Sequence, residues 1–326
     1  MYRRLLVPLD GSRTAAAVLP YARTIAKTLK LPVELLSVVD IGALAAHVSH
    51  GGARYFETII AESVRISEQY LKRIANTFPD HEVKCTVEKG KAEDVIIEKA
   101  GSDATLTAMA THGRSGFNRL LLGSVAEEVL RGSTNPLLLI RPSEEAHSEG
   151  EAILRKVIVP LDGSEEAESV LPAAVELAKT LELEVLLLRA YPRFNTYAGA
   201  DDYNAVNYEV IRGALSDEAQ SYLESKVGEL KRKGVEKVSF AIPEGSSAGE
   251  IVALSGRTPN NLIAMCTHGR SGVKRWVLGS VTEKVVRLSR DPVLIVRGGS
   301  PTSELRRSEQ LNCVEANGGR SNSLSG

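Results

Sequence analysis

The chain is predicted to fold as two repeated, doubly wound α/β domains, each a five-stranded parallel sheet with helices on both faces. Three features support this. Val7-Pro8-Leu9-Asp10-Gly11-Ser12 recurs as Val159-Pro160-Leu161-Asp162-Gly163-Ser164. A longer block from Met109, MATHGRSGFNRLLLGSVAEEVLRGSTNPLLLIR, recurs from Met265 as MCTHGRSGVKRWVLGSVTEKVVRLSRDPVLIVR. Short apolar runs alternate with longer helical segments throughout, the pattern of right-handed βαβ crossovers and a mainly parallel sheet. Asp10 and Asp162 stand 152 positions apart, whereas Gly113 and Gly269 stand 156 apart, so the second copy carries a net insertion of about four residues. A period of this length duplicates whole domains, since solenoid repeats run only about 20–50 residues.

The elements follow in order within each copy. Arg4–Leu9 and Val157–Leu161 read as first strands, each ending at Asp-Gly-Ser. Ser12 and Ser164 are placed to cap the next helices, Thr14–Leu29 and Glu165–Leu181. Val33–Val39 and Glu184–Ala190 are apolar almost throughout, as strands covered on both faces are. A loop of roughly 15 residues leads to a long helix, Tyr55–Phe78 or Glu209–Lys233. Then come a third strand (Val83–Glu88; Val238–Ile242), a short helix (Glu93–Lys99; Ala248–Leu254) and a fourth strand (Ala104–Ala110; Asn261–Cys266). A glycine-bearing loop, a helix (Val125–Arg131; Val281–Leu288) and a fifth strand (Leu137–Arg141; Val293–Arg297) complete the copy. The domains are read as residues 1–142 and 153–298, joined by a polar linker, 143–152; the segment 299–326 has almost no apolar periodicity and reads as a disordered tail.

Composition narrows the functional classes. A formal net charge of −1 provides no basic field for nucleic acid, and 5% aromatic content provides no stacking platform for single strands. Cys85, Cys266 and Cys313 are odd in number and far apart, which suits a reducing, cytoplasmic setting and neither a disulfide framework nor a zinc site. Arg3-Arg4 before Leu5-Leu6-Val7 faintly resembles a signal peptide, but Pro8 and Asp10 interrupt it, so a strand is the expectation. No apolar run approaches bilayer-spanning length, and no membrane association is expected.

Doubly wound sheets bind ligands beyond the carboxyl ends of their strands, where the strand order reverses. That rule selects the loop after strand one, with Asp10 or Asp162, and the loop after strand four. The latter runs through Gly113-Arg114-Ser115-Gly116 to Gly123-Ser124-Val125, and in the second copy through Gly269-Arg270-Ser271-Gly272 to Gly279-Ser280-Val281. Glycines there let backbone N–H groups approach an anion, and the next helix offers unpaired N–H groups and the positive end of its dipole. Arg114 and Arg270 can add charge-assisted bonds. A ligand-free reading competes with this one: Ser124-Val125-Ala126-Glu127 and Ser280-Val281-Thr282-Glu283 have the spacing of capping boxes.

These motifs resemble those of the universal stress protein family, whose signature is Gly, two residues, Gly, nine residues, then Gly-Ser or Gly-Thr. It maps onto Ala110, Gly113, Gly123-Ser124 and onto Cys266, Gly269, Gly279-Ser280, and the likeness extends over nearly all of residues 1–298. The resemblance implies an adenine nucleotide alpha hydrolase-like fold and an ATP, ADP or AMP ligand; Mg²⁺ would accompany ATP in a hydrolytic alternative. The adenosine end would be held at Asp10 with Val38 and at Asp162 with Ala190. The glycine loop and Gly-Ser pair would hold the phosphates. It further implies that the two domains meet edge to edge as an intramolecular pseudo-dimer; pairing of whole chains is left open. The departure is at the leading glycine, replaced by Ala110 and by the bulkier Cys266. If that residue must adopt positive φ, both replacements carry a penalty, and Cys266 can also crowd the ligand.

No Walker A or Gly-x-Gly-x-x-Gly pattern is present, and the spacing around Ser115 does not match a nucleophile elbow. His47 and His50 suit a metal by spacing, but the second copy lacks both. His112 and His268 are read as positioning the loop backbone. Three functions therefore compete: a regulatory nucleotide-binding module without strong catalysis, a slow ATP hydrolase, and a nucleotide-free scaffold acting through protein contacts.

Overall fold

The computed structural model describes residues 2–47, 55–79, 81–101, 104–113, 122–142, 148–193, 202–267 and 278–297. The tail 299–326 expected to be disordered, and His50, His268 and Cys313, lie outside these residues. The first half runs β1 (Arg4–Pro8), a 3₁₀ turn (Ala15–Val18), α1 (Leu19–Leu29), β2 (Val33–Val39), α2 (Ile41–His47), α3 (Phe56–Ala75), β3 (Val83–Lys89), α4 (Ala92–Ala100), β4 (Thr105–Ala110), α5 (Ser124–Gly132) and β5 (Leu137–Ile140). The second runs β6 (Lys156–Pro160), α6 (Glu165–Glu168), α7 (Leu171–Thr180), β7 (Glu184–Leu188), α8 (Asp202–Arg232), β8 (Val238–Ala241), α9 (Ser247–Arg257), β9 (Asn261–Cys266), α10 (Ser280–Leu288) and β10 (Val293–Val296).

The ten strands among the described residues join one sheet, in the order β3-β2-β1-β4-β5-β10-β9-β6-β7-β8. Neighbours within a half are parallel, and β5 meets β10 antiparallel with Leu138 opposite Leu294. Strand order reverses between β1 and β4, and again between β6 and β9, so each half has one switch point. The pleat sends alternate residues to opposite faces. Leu5 and Val7 enter the core beneath α1 and α3, while Leu6 enters the core beneath α4 and α5. Both cores continue through the second half.

Two expected helices are broken. Thr14–Leu29 divides into the 3₁₀ turn and α1, and Glu165–Leu181 divides into α6 and α7. Pro20 and Pro172 stand just inside the second segment of each pair; proline lacks an N–H and its ring clashes with the carbonyl four residues earlier. The segment after β2, expected as a loop, contains α2, and α8 starts seven residues before the expected Glu209. The stretch 202–208 carries too little apolar periodicity to announce a helix.

Part of the inter-domain segment is anchored to α1. The buried Arg23 donates from Nη1 to the carbonyls of Ser148 (2.9 Å) and Gly150 (2.7 Å), and from Nε to that of Thr77 (3.0 Å). The Thr24 hydroxyl donates to the Ala152 carbonyl, and the Ala152 N–H donates to Pro20. The halves also exchange arginines. Arg141, just after β5, donates to the carbonyls of Arg287 and Ser289 at the end of α10. Arg297, just after β10, donates to those of Leu130 and Arg131 at the end of α5. Each cation thus meets the negative end of the other half's helix. Burial lowers the pKa of both guanidinium groups.

Candidate functional site

The turn after β1 is held by its own aspartate. The Asp10 Oδ1 accepts from the Ser12 N–H (2.9 Å) and from its hydroxyl (2.6 Å), while Gly11 takes a positive φ of 83°. The second half repeats this: Asp162 Oδ1 accepts from the Ser164 N–H (3.0 Å) and hydroxyl (2.6 Å), and Gly163 has φ 87°. The side-chain acceptor closes a small ring with the backbone two residues on, and the left-handed glycine permits the reversal. Ser12 Oγ in turn accepts from the Ala15 N–H, and Ser164 Oγ caps α6 by accepting from Ala167.

The loop after β4 folds onto this turn. Thr14 Oγ1 donates to the Gly113 carbonyl at 2.8 Å. A Cβ placed on Gly113 would lie 2.5 Å from Asp10 Oδ2, so the carboxylate packs where only a glycine fits. The Gly123 N–H then donates to the Thr111 carbonyl (2.9 Å), bringing the start of α5 back to the end of β4. Gly279 and Thr267 make the matching 2.8 Å bond. Asp10, Gly113, Gly123 and Ser124 are thus linked at one switch point, and Asp162, Gly279 and Ser280 occupy the corresponding places of the other half. Val38, near the end of β2, and Ala190, two residues beyond β7, are half-buried against the core beneath α4 and α9. Arg114, Gly116, Gly269, Arg270 and Gly272 lie outside the described residues.

The expected capping boxes do not form. The N-caps are Gly123 and Gly279, in extended conformation, and neither helix start has a side-chain cap hydrogen bond. Ser124 and Ser280 are the first helical residues and are exposed. In this register the N–H groups of Ser124, Val125 and Ala126, and those of Ser280, Val281 and Thr282, have no carbonyl partner within their own helix. A glycine N-cap stabilises a helix without a side-chain acceptor, so its first turn faces outward with the positive end of the dipole.

The replaced glycines prove conformationally ordinary. Ala110 and Cys266 end β4 and β9, and neither has positive φ. Cys266 is buried, and its Sγ accepts from the Ser169 hydroxyl at 3.2 Å, at the break between α6 and α7. Ser169 corresponds to Ala17 just as Cys266 corresponds to Ala110, so the larger thiol comes with a polar neighbour. His112 pairs through Nδ1 with Thr111 Oγ1 at 2.9 Å, and its Nε2 is buried without a hydrogen-bond partner.

Sequence reasoning missed two tyrosines. Tyr70 on α3 and Tyr222 on α8 are separated by the same 152 positions as the aspartates. That shared offset was a legible signal, but nothing local showed which side chains the rings would meet. Burial raises the pKa of both, and the nearby charge of Asp10 adds to the rise for Tyr70. For Tyr222 the bond to Glu168 contributes after burial, and Asp162 adds a smaller share.

These features define a tandem α/β protein with an aspartate-held turn and a glycine-capped helix start at each switch point. The model of the universal stress protein family matches residues 1–141 and again 154–297. Universal stress protein MJ0531 of Methanocaldococcus jannaschii is 30% identical over 148 residues, covering 45% of this chain and 85% of that protein. A universal stress protein of Mycolicibacterium smegmatis is 22% identical over 303 residues, 90% of this chain and 96% of the relative. The crystal structure of a universal stress protein from Archaeoglobus fulgidus shares the fold at TM-score 0.64 and 21% identity, covering 92% of this chain and all of that one. The chain belongs to the universal stress protein family.

Proposed function

We propose that this protein binds an adenine nucleotide, ATP or its di- or monophosphate, and works as a regulatory stress-response module without strong catalytic activity. The observation that carries the reading is the close packing of Asp10 against Gly113 beside a helix start that no side chain caps. An anion would fit the N–H groups of Ser124 and Val125 beside Gly113, with Gly116 and Arg114 as further proposed contacts; Gly269, Arg270 and Gly272 would take the same roles beside Ser280 and Val281. Asp10 with Val38, and Asp162 with Ala190, would take the nucleoside end; Ala110 and Cys266 would contribute backbone only. Mg²⁺ would arrive with a triphosphate. Among the described residues no group of three or more His, Cys, Asp or Glu side chains is placed to hold a metal by itself. Asp10 Oδ1 is committed to Ser12, which favours a positioning role over that of a general base.

The β5–β10 junction and the reciprocal arginines support a further part of the proposal, that residues 1–142 and 153–298 act as an intramolecular pseudo-dimer. Cys85 and Cys266, both free thiols, suit a reducing cytoplasm. No described helix is long and apolar enough to cross a membrane.

Calorimetric titration of the full chain with ATP, ADP and AMP, with and without Mg²⁺, tests the binding. Saturable heat with one or two nucleotides per chain is expected. Ligand at 100 times its dissociation constant should raise stability by about 2.7 kcal/mol. No heat and no thermal shift at millimolar nucleotide would leave the scaffold reading in its place.

A further inference from the structure

The two glycine-capped helix starts lie on one closed circuit of hydrogen bonds. The Gly123 N–H donates to the Thr111 carbonyl at 2.9 Å, and the Thr111 N–H donates in turn to the Ile140 carbonyl at 2.8 Å. The next residue, Arg141, reaches the carbonyls of Arg287 and Ser289 at the end of α10. At the start of that nine-residue helix the Gly279 N–H donates to the Thr267 carbonyl, and the Thr267 N–H donates to the Val296 carbonyl at 3.0 Å. Arg297 follows, and its guanidinium holds the carbonyls of Leu130 and Arg131 at the end of α5. α5, also nine residues long, returns the path to Gly123.

Each helix is a rod of about 13 Å, so a shift at its start reappears at its far end. No side-chain cap bond ties either start in place. α5 therefore begins at the first half's switch point and ends on an arginine one residue beyond β10, the strand whose Val296 carbonyl holds the second half's loop at Thr267. α10 makes the mirror connection through Arg141 and Ile140. Glu127, one turn into α5, and Glu283, one turn into α10, both pair with Arg287, at 3.6 and 3.1 Å, which braces the two helices against each other. The circuit crosses between the halves at two joints, Arg141 and Arg297, so two separate arms link the switch points.

We propose that this circuit couples the two nucleotide sites, so that ATP in one half favours ATP in the other. The coupling rests on the nucleotide-binding reading and names how its two sites are regulated. A phosphate at the first turn of α5 fixes that helix along its axis and seats Arg297 on its last carbonyls. The end of β10 then steadies Thr267, and with it the start of α10. The second nucleotide meets a helix start already in place, so its binding costs less ordering. The effect is reciprocal, because linkage between two binding sites is symmetric. A chain built this way fills over a narrower range of ATP concentration than one with independent sites.

The full chain, Arg141→Ala, Arg297→Ala, the double variant and Arg23→Ala are titrated with ATP by calorimetry, and each is melted without nucleotide. Two ATP per chain are expected, with the second step favoured about fivefold over independent binding and a Hill coefficient above one. Each single variant keeps one arm and should show a smaller preference; the double variant should bind two ATP with none. Should the double variant fail to fold, a reduced preference in either single variant decides. Arg23 bonds to Thr77, Ser148 and Gly150, outside the circuit. Arg23→Ala should lower the melting temperature and leave the preference intact, which separates coupling from stability. Independent steps in the unsubstituted chain overturn the proposal, as does a preference that survives in the double variant or falls equally in Arg23→Ala. One ATP per chain also overturns the coupling while the nucleotide reading stands. Failure of the unsubstituted chain to bind ATP overturns that reading itself, a distinct result.

Discussion

Gly113→Ala is expected to weaken ATP binding at the first site by about 100-fold, the loss of two or three hydrogen bonds, while the chain remains folded. The added Cβ would sit 2.5 Å from Asp10 Oδ2 and 3.5 Å from its Cγ, and real Cβ atoms do not approach so closely. The carboxylate cannot simply swing aside, because its other oxygen holds both the N–H and the hydroxyl of Ser12. Either the aspartate turn moves or the 111–113 backbone retreats, which breaks the bond from Thr14 to the Gly113 carbonyl. Both outcomes separate the two loops that form the site. The fold has little at stake, since β1 and β4 pair upstream of the turn. Calorimetry and a melting curve on the same sample check this. An alanine variant that binds ATP as tightly as the parent chain would show that the ligand does not use this junction.

Replacing Arg141 and Arg297 together with alanine is expected to cost about 2–4 kcal/mol of stability, from two charge-assisted contacts of about 1–2 kcal/mol each after discounting for partial exposure. Each guanidinium caps the carbonyl end of a helix from the other half. Without them those carbonyls and the negative helix ends meet only water. Arg287 also pairs with Glu127 across the junction at 3.6 Å, so some contact survives. Chemical denaturation of the single and double variants would measure the loss. Additive single losses are expected, because the two arginines bond to the ends of different helices. A double variant as stable as the parent chain would mean that the β5–β10 pairing holds the halves without them.

Much of this molecule was readable in the residues before any coordinates. Strand positions such as Val33–Val39 were legible because burial on both faces leaves an unbroken apolar run. Asp10-Gly11-Ser12 was legible because its turn is made within three residues, by a side chain that reaches its own backbone. Gly113 and Gly123 were marked by duplication. The helix breaks at Pro20 and Pro172 were legible in principle, since proline acts on the carbonyl four residues back, but amphipathic periodicity across the break concealed them.

Other features depended on which loops the strand order brings together. Ser124 has the spacing of a capping residue, yet Gly123 takes the cap because its N–H is drawn to the Thr111 carbonyl across the β4 loop. Ala110 and Cys266 looked like defects in a motif. At the ends of β4 and β9 they adopt ordinary backbone, and the thiol of Cys266 finds Ser169, 97 positions away in the chain. The contrast between Tyr70 and Tyr222 has the same origin. The acceptor of Tyr222 lies on another helix and the Tyr70 hydroxyl has none, so the difference appears only when α3 and α8 pack onto the sheet. Turns, strands and helix faces follow from interactions among near neighbours, and the repeated chain states them twice. The partners of buried polar groups follow from contacts between distant segments, and there the two copies differ.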